Sequence, residues 1–146
     1  LEFRRVLFRS LAIDVAYHDA CHLAHAQGVT AEPRAVLRRI PELTVREIPE
    51  AAICCGSAGV YNLLQPDAAT ALGERKAANV RSVAPDALAA ANPGCLIQIT
   101  ANLGAEGDPI PTFHPIELLD ASLRGEDAAG LLARRRDLLR SAGAPS

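Results

Sequence analysis

Short apolar runs alternate with longer segments of helical periodicity along the chain. Residues 11–17 (LAIDVAY) form a nearly continuous apolar run, which is typical of a buried strand. Residues 43–48 (LTVREI) alternate apolar and polar side chains and predict a half-buried strand, and shorter strands are predicted at 86–91 and 110–113. Strands separated by helical segments predict an α/β fold, in which helices flank a short, mostly parallel, open sheet.

Helical segments fill the intervals between these strands. The first is predicted to follow His18 and to end near Gly28, and the others cover residues 33–40, 57–64, 67–83, 96–103, 115–123 and 127–140. Pro33 and Pro66 stand at predicted helix starts. Proline is tolerated there because backbone N–H groups in the first turn have no acceptor within the helix. Asp19 is expected to cap the first helix, and the charged last helix is expected to lie on the surface.

The cysteines follow the predicted strands. Cys21 and Cys95 each come just after a strand and at the start of a helix, and His114 holds the same position after the last strand. The adjacent Cys54 and Cys55 follow the second strand by a short loop. Because the carboxyl ends of parallel strands share one edge of a sheet, we expect all four cysteines to gather there.

Composition narrows the class of protein. The 146 residues carry a net charge of -2, which counts against a basic nucleic-acid-binding protein, and no apolar run is long enough for a transmembrane helix. The absence of Met predicts a fragment or a processed piece. Residues 1–10 resemble one reading frame of a common sequencing adapter and are expected to be a non-native scar. A cysteine-rich domain at 11–124 and a charged C-terminal helix and tail at 125–146 would follow.

Several kinds of chemistry are open to four cysteines in such a chain. Free cysteines often pack as small hydrophobes, whereas disulfides are not expected in a chain without signs of export. Thiolates near helix N-termini have a lowered pKa, and four of them complete a [4Fe–4S] or an all-thiolate zinc site. Thiol exchange at the adjacent pair is a third alternative. We favour a cluster or metal held by Cys21, Cys54, Cys55 and Cys95.

Five further residues are candidates for the surroundings of this centre: His18, His22, His114, Gly56 and Gly94. The histidines could replace a thiolate or donate a hydrogen bond to a cluster sulfur, and the alternative is an ordinary helix cap or a solvated side chain. The glycines would let the backbone approach a bulky cofactor, and the alternative is an ordinary turn. No catalytic residue is assigned.

Four blocks of the sequence resemble a known family. They are Tyr17 to His22 (YHDACH), Cys54 to Gly59 (CCGSAG), Asn92 to Cys95 (NPGC) and His114 to Asp120 (HPIELLD). In this order they resemble the C-terminal cysteine-rich CCG domain of the glycolate oxidase iron–sulfur subunit. Related domains occur in the lactate-utilisation iron–sulfur protein, in one subunit of the anaerobic glycerol-3-phosphate dehydrogenase and in one subunit of heterodisulfide reductase.

The sequence departs from the fuller family pattern at one position. That pattern ends in Cys-x-x-Cys, and Gln98 stands here in place of the last cysteine. The five-cysteine noncubane cluster of the heterodisulfide reductase type would therefore lack a ligand, which counts against disulfide-reducing chemistry. Four thiolates would still hold one [4Fe–4S] cluster, with zinc as the alternative.

The resemblance implies a role in electron transfer. A separate flavin-containing subunit would oxidise glycolate or a similar 2-hydroxy acid, and electrons would pass through this subunit towards a membrane acceptor. A cytoplasmic location, including the surface of the inner membrane, follows, with no nucleic-acid partner. The alternatives are a subunit of a lactate or glycerol-3-phosphate oxidising complex, or a zinc module that is structural or docks a partner. The fragment alone is not expected to be catalytic.

Overall fold

The computed structural model describes residues 7–57, 59–105, 107 and 109–143. Four strands form one parallel sheet, namely β1 (Asp14–His18), β2 (Thr44–Glu47), β3 (Ala87–Ala90) and β4 (Thr112–Phe113). Their order in the sheet is β2-β1-β3-β4. Helices flank this open sheet, which confirms the predicted α/β architecture.

The helices follow the predicted order with shifted ends. A π-helical turn (His22–Ala26) follows β1, and the α-helices are α1 (Ala31–Leu37), α2 (Tyr61–Leu64), α3 (Pro66–Ser82), α4 (Pro93–Ala105), α5 (Pro115–Arg124) and α6 (Ala128–Gly143). The start of α4 lies three residues before the predicted one. Asn92 Oδ1 accepts a hydrogen bond from the Cys95 amide at 3.0 Å, and this contact stabilises the first turn.

The expectation for Asp19 was wrong. Its carboxylate does not cap the helical turn after β1 but accepts two hydrogen bonds from Arg34, at 2.7 and 2.8 Å. A bidentate pair with a guanidinium satisfies a nearly buried carboxylate better than a single amide at a helix end. Asp19 therefore ties the segment after β1 to α1.

Alternation along the strands divides the core between two faces of the sheet. On the aromatic face, Val15, Tyr17 and Phe113 pack against α1, α5 and α6 through Leu37, Leu118 and Leu132. On the cysteine face, the packing residues are smaller: Ala16, Leu88, Ala90, Ala77, Val80, Ile99, Leu103, Cys55 and Cys95. His18 follows Tyr17 at the end of β1 and pairs in register with Ala90. Side chains on one strand alternate between faces, so His18 belongs to the cysteine face.

The outer strands of the sheet are short, and β2 carries charged side chains. β4 contributes two residues, Thr112 and Phe113. On β2, Arg46 bonds to Asp14, and Glu47 accepts hydrogen bonds from Arg34. Both edges thus offer little regular backbone for further pairing.

The part of the predicted scar that the structure describes packs against α5. The Arg9 amide donates to the Ser122 carbonyl at 3.2 Å, and Ser122 Oγ donates to the Arg9 carbonyl at 2.6 Å. Residues 1–6 of the scar and 144–146 of the tail lie outside the described residues.

No helix within the described ranges combines the length and the apolar character that a membrane crossing requires.

Candidate metal centre

The carboxyl edge of the sheet collects the cysteines. Cys21 lies three residues beyond the end of β1, and Cys95 sits in the first turn of α4, just after β3. Cys54 and Cys55 lie in the loop between β2 and α2. All four are free thiols. Strand direction and order are therefore sufficient to bring chain segments 74 residues apart to one place.

Three of the collected side chains form a buried inner group, His18, Cys55 and Cys95. One ligand atom from each lies within 4.8 Å of the others. The residues are 0, 1 and 5% exposed, respectively. Within the described part of the chain, neither ring nitrogen of His18 has a hydrogen-bond partner. Two sulfurs and one nitrogen thus lie close together in the interior, and the ring nitrogens of His18 are available to coordinate a metal.

Cys21 and Cys54 form an outer pair, and both are half-buried. Burial raises the pKa of Cys21, and the neighbouring Cys54 and Cys55 raise it further, whereas a backbone hydrogen bond at His22 opposes the shift. Mutual electrostatic effects among these thiols require them to be close. The outer pair is therefore close to the inner group and more exposed than it.

The pKa values of the two inner thiols, Cys55 and Cys95, shift in opposite directions. A hydrogen bond from Cys95 lowers the pKa of Cys55 to about 4, with smaller contributions from His18 and from the Ser57 amide. The same contact and burial raise the pKa of Cys95. Cys55 is thus poised as the thiolate that metals bind. Its 1% exposure also counts against thiol exchange, which needs direct access to sulfur.

Gly56 allows the cysteine loop to lie against α3. Its φ of +89° is in the left-handed region, and an added Cβ would overlap the Ala69 carbonyl oxygen. The Gly56 amide also lies 3.4 Å from Cys54 Sγ, as a donor. Gly94 is less constrained, since an added Cβ would lie 3.1 Å from Asn92 Oδ1 and 3.3 Å from Ser57 Oγ. The close approach is therefore to protein backbone at Gly56.

The remaining histidines have other surroundings. His22 and His25 are exposed, and His25 Nε2 lies 3.1 Å from the Ala52 carbonyl oxygen. His114 caps α5, because its Nδ1 accepts a hydrogen bond from the Ile116 amide at 3.2 Å. A function for His22 or His114 beside the cysteines stays a prediction.

Lys76 is a buried cation that sequence reasoning missed. It lies on α3 with no exposed surface, and its Nζ donates to the carbonyls of Glu50 and Ala51, at 2.8 and 3.3 Å. Burial lowers the pKa of Lys76, whereas the negative charge of Cys55 opposes this shift. Lys76 therefore anchors the segment that leads into the cysteine loop. The available signal was that it is the single lysine in the sequence.

Arg34 links the segment after β1 to β2 through two carboxylates. Its guanidinium bonds to Asp19 and Glu47 and lies 4.8 Å from the centre of the Tyr17 ring. Hydrogen bonds to both carboxylates raise the pKa of Arg34, so it stays charged. The segment that carries Cys21 is thereby linked to β2.

A separate cavity lies between α4 and α6. It measures about 920 Å³, and Leu96, Thr100 and Leu139 are among its lining residues. Of the described residues, neither His18 nor any cysteine lines it. A metal centre needs converging ligands rather than an open cavity, so the cysteine edge is the stronger candidate.

Comparison with known proteins finds a family match over the segment that carries this edge. A model of the CCG family, described as a cysteine-rich domain, matches residues 15–100. This range contains all four cysteines and His18.

Three curated relatives are similar across most of the chain. A fumarate reductase (CoM/CoB) subunit of Methanothermobacter marburgensis is 39% identical over 73% of the chain. A probable glycolate oxidase iron–sulfur subunit of Bacillus subtilis is 36% identical over 72%. Lactate utilization protein A of Bacillus licheniformis is 31% identical over 72%. The matched segment spans 22%, 24% and 44% of these proteins' own lengths.

Proposed function

This chain belongs to the CCG cysteine-rich domain family, and from that premise we propose that it is the cluster-binding domain of an electron-transfer subunit. The complex would oxidise a 2-hydroxy acid, with glycolate as the leading substrate. The observation that carries the proposal is the convergence of four cysteines from three strand ends on one edge of the sheet.

The donor set suits a [4Fe–4S] cluster. Four thiolates are the complement that such a cluster requires, and we propose Cys21, Cys54, Cys55 and Cys95 as its ligands. The unsatisfied ring nitrogens of His18 also favour an additional group at this point, since buried polar atoms normally have partners.

When bound, the cluster would supply one-electron transfer. The chain's own residues would hold it, exclude water and set its charge environment. Cys55 and Cys95 provide buried ligands, and Cys21 and Cys54 face solvent, where an electron could enter or leave. The buried ammonium group of Lys76 would stabilise the more negative, reduced state.

The partners are proposed from the relatives and from the surface. One relative is named a glycolate oxidase iron–sulfur subunit and another a lactate utilization protein. We propose a flavin-containing dehydrogenase subunit as the electron donor, an acceptor at the inner membrane and a cytoplasmic location for the complex. Leu63 and Leu64 on α2 are 77% and 70% exposed, and they lie shortly after the cysteine loop. Two exposed leucines so soon after the ligand loop support docking of a redox partner.

The test is anaerobic expression of the whole chain, followed by analysis of iron, acid-labile sulfide and the electron paramagnetic resonance (EPR) spectrum after reduction. About four irons and four sulfides per chain are expected for the cluster. The Cys55→Ser variant should lose most of this content, whereas Ser57→Ala, altered in the same loop, should keep it. Protein purified anaerobically without iron or sulfide would contradict the proposal.

A zinc module is the second candidate. The compact inner group favours it, because three ligand atoms within 4.8 Å of one another suit a single tetrahedral ion. One zinc per chain, without sulfide, would identify this alternative. A glycolate, lactate or glycerol-3-phosphate complex would be distinguished by which dehydrogenase is recovered together with the full-length protein.

A further inference from the structure

His18 differs from every other described histidine. It is fully buried at the end of β1, while His22 and His25 are exposed and His114 caps a helix. Its two ring nitrogens have no hydrogen-bond partner in the described part of the chain. Leaving a buried polar group unpaired costs about 1–3 kcal/mol. The Cys55 sulfur, whose pKa His18 lowers, can serve one ring nitrogen at most, so this position calls for a further partner.

Packing alone gives little reason for an imidazole here. The neighbour in register on β3 is Ala90, and Ala16 and Ala20 belong to the same core cluster. A leucine of similar volume would fill this space without the cost of unpaired nitrogens. The side chain therefore suits a chemical function better than a packing function.

The distances indicate what that function is. A His18 nitrogen lies within 4.8 Å of the sulfurs of Cys55 and Cys95. Nitrogen and sulfur ligands of one tetrahedral zinc ion stand about 3.6 Å apart, given bond lengths of about 2.0–2.1 and about 2.3 Å. A small inward shift of the thiolates around a metal would therefore bring all three atoms to bonding distance.

We propose that His18 is a direct nitrogen ligand of the metal centre and coordinates it together with Cys55 and Cys95. In the four-cysteine set proposed above, His18 would then take the place of one outer thiolate, Cys21 or Cys54. The proposal rests on the proposed function to the extent that a metal or cluster must occupy this edge. Coordination would use the lone pair of one ring nitrogen of His18. A neutral nitrogen in place of a thiolate would also raise the reduction potential of a cluster.

The test uses the whole chain with histidine labelled in nitrogen-15 and reconstituted anaerobically with ferrous iron and sulfide. Pulsed EPR of the paramagnetic state should show strong hyperfine coupling to a directly bound nitrogen, with the frequency shift expected on labelling. The triple variant His22→Asn, His25→Asn and His114→Asn leaves His18 as the sole histidine and should retain the coupling. Asn is a good helix cap, so α5 keeps its N-terminus in this variant.

A second measurement uses zinc as the probe. X-ray absorption of the zinc-loaded chain should show one nitrogen at about 2.0–2.1 Å in addition to sulfurs at about 2.3 Å. His18→Cys should convert this shell to sulfur alone, whereas His25→Ala should leave it unchanged.

The outcomes separate the inference from the proposed function. Iron and sulfide at full content, with no coupled nitrogen and an all-sulfur zinc shell, would overturn the assignment of His18 and leave the cluster intact. Loss of the coupling in the triple variant would overturn it as well. A chain that binds neither iron nor zinc would overturn both proposals.

Discussion

The two faces of the sheet share four strands but are built from different side chains. The aromatic face packs Tyr17 and Phe113 against leucines, and the guanidinium groups of Arg34 and Arg135 lie 4.8 and 4.6 Å from the ring centres. The cysteine face packs alanines and aliphatic side chains such as Leu88 and Ile99 without an aromatic ring, and His18 and Lys76 are buried. Large apolar side chains stabilise a fold by burial, whereas buried polar groups cost free energy unless they are satisfied.

The difference teaches that stability and chemistry are carried by alternate residues of the same strands. Val15 and Tyr17 serve the aromatic face, and His18, the next residue, serves the cysteine face. The aromatic face can therefore offset the cost of a polar opposite face. Substitutions on the two faces should have separable effects on unfolding and on metal binding.

The largest effect is expected on the aromatic face. Phe113→Ala removes a fully buried ring and should lower the free energy of unfolding by about 3–5 kcal/mol, measured by urea denaturation of the metal-free protein. Phe113→Leu should cost less because it leaves a smaller cavity. Metal content per folded molecule should be unchanged, and a large loss of it in Phe113→Leu would break the separation of the two faces.

A smaller loss is expected at the cysteine loop. Gly56→Ala places a Cβ against the Ala69 carbonyl in a left-handed conformation, and should cost about 1–3 kcal/mol and reduce metal binding. Gly59→Ala is the matched control, since Gly59 also has a positive φ (+63°) but no described atom lies within 4 Å of an added Cβ. Equal metal binding by the two variants, measured by equilibrium titration with zinc, would show that the clash does not shape the site.

Tyr17 should make the aromatic face sensitive to alkali. Burial raises the pKa of Tyr17 to about 12, with a further rise from Asp19 and an opposing effect of Arg34. The unfolded chain ionises Tyr17 near pH 10, so this stabilisation is complete below pH 10 and is lost between pH 10 and about 12. At pH 11 the loss should be about 1 kcal/mol.

The alkaline effect can be assigned by comparing two variants. Between pH 8 and pH 11, the loss of stability should be larger by about 1 kcal/mol in Tyr61→Phe, which keeps Tyr17, than in Tyr17→Phe. The thiols Cys21 and Cys95, whose pKa values are also raised, contribute equally to both variants. If both variants lose the same stability, the ionisation of Tyr17 is not the cause.

The smallest effect on folding is expected at Lys76. Lys76→Met removes a buried charge and two hydrogen bonds, and these opposing contributions should leave the unfolding free energy within about 1 kcal/mol of the original. In iron–sulfur-loaded protein the reduction potential should fall by on the order of tens of millivolts, because a nearby positive charge is lost. Redox titration followed by EPR measures it. Arg75→Met, at an exposed neighbour, should shift neither, and a shift as large as that of Lys76→Met would contradict a local effect.

Much of the fold could be predicted because its signals are local. The apolar run 11–17 and the alternating run 43–48 predict β1 and β2 to within a few residues, and the gathering of cysteines follows from parallel strands. The features that were missed depend on contacts distant in sequence. Asp19 pairs with Arg34 instead of a neighbouring amide, and Lys76 bonds to carbonyls 25 and 26 residues away. No local pattern encodes either contact.

The site shows the same division. The position of the site is predictable from the strand ends. The inner group, however, depends on where β1 ends, and β1 ends at His18 rather than at Tyr17. Because the strand is one residue longer than predicted, His18 is a buried strand residue and not a loop residue. The ligand set itself stays a prediction.

The short outer strands affect the tendency of the protein to aggregate at high concentration. Open sheets risk aggregation when a strand from another molecule adds to an edge. On one side of the sheet, β4 has only two residues. On the other side, a strand that added to β2 would contact Arg46 and Glu47, both of which form ion pairs within the chain. Addition of a strand from another molecule is therefore disfavoured at both sides of the sheet, and the cysteines lie at its carboxyl end, away from these sides.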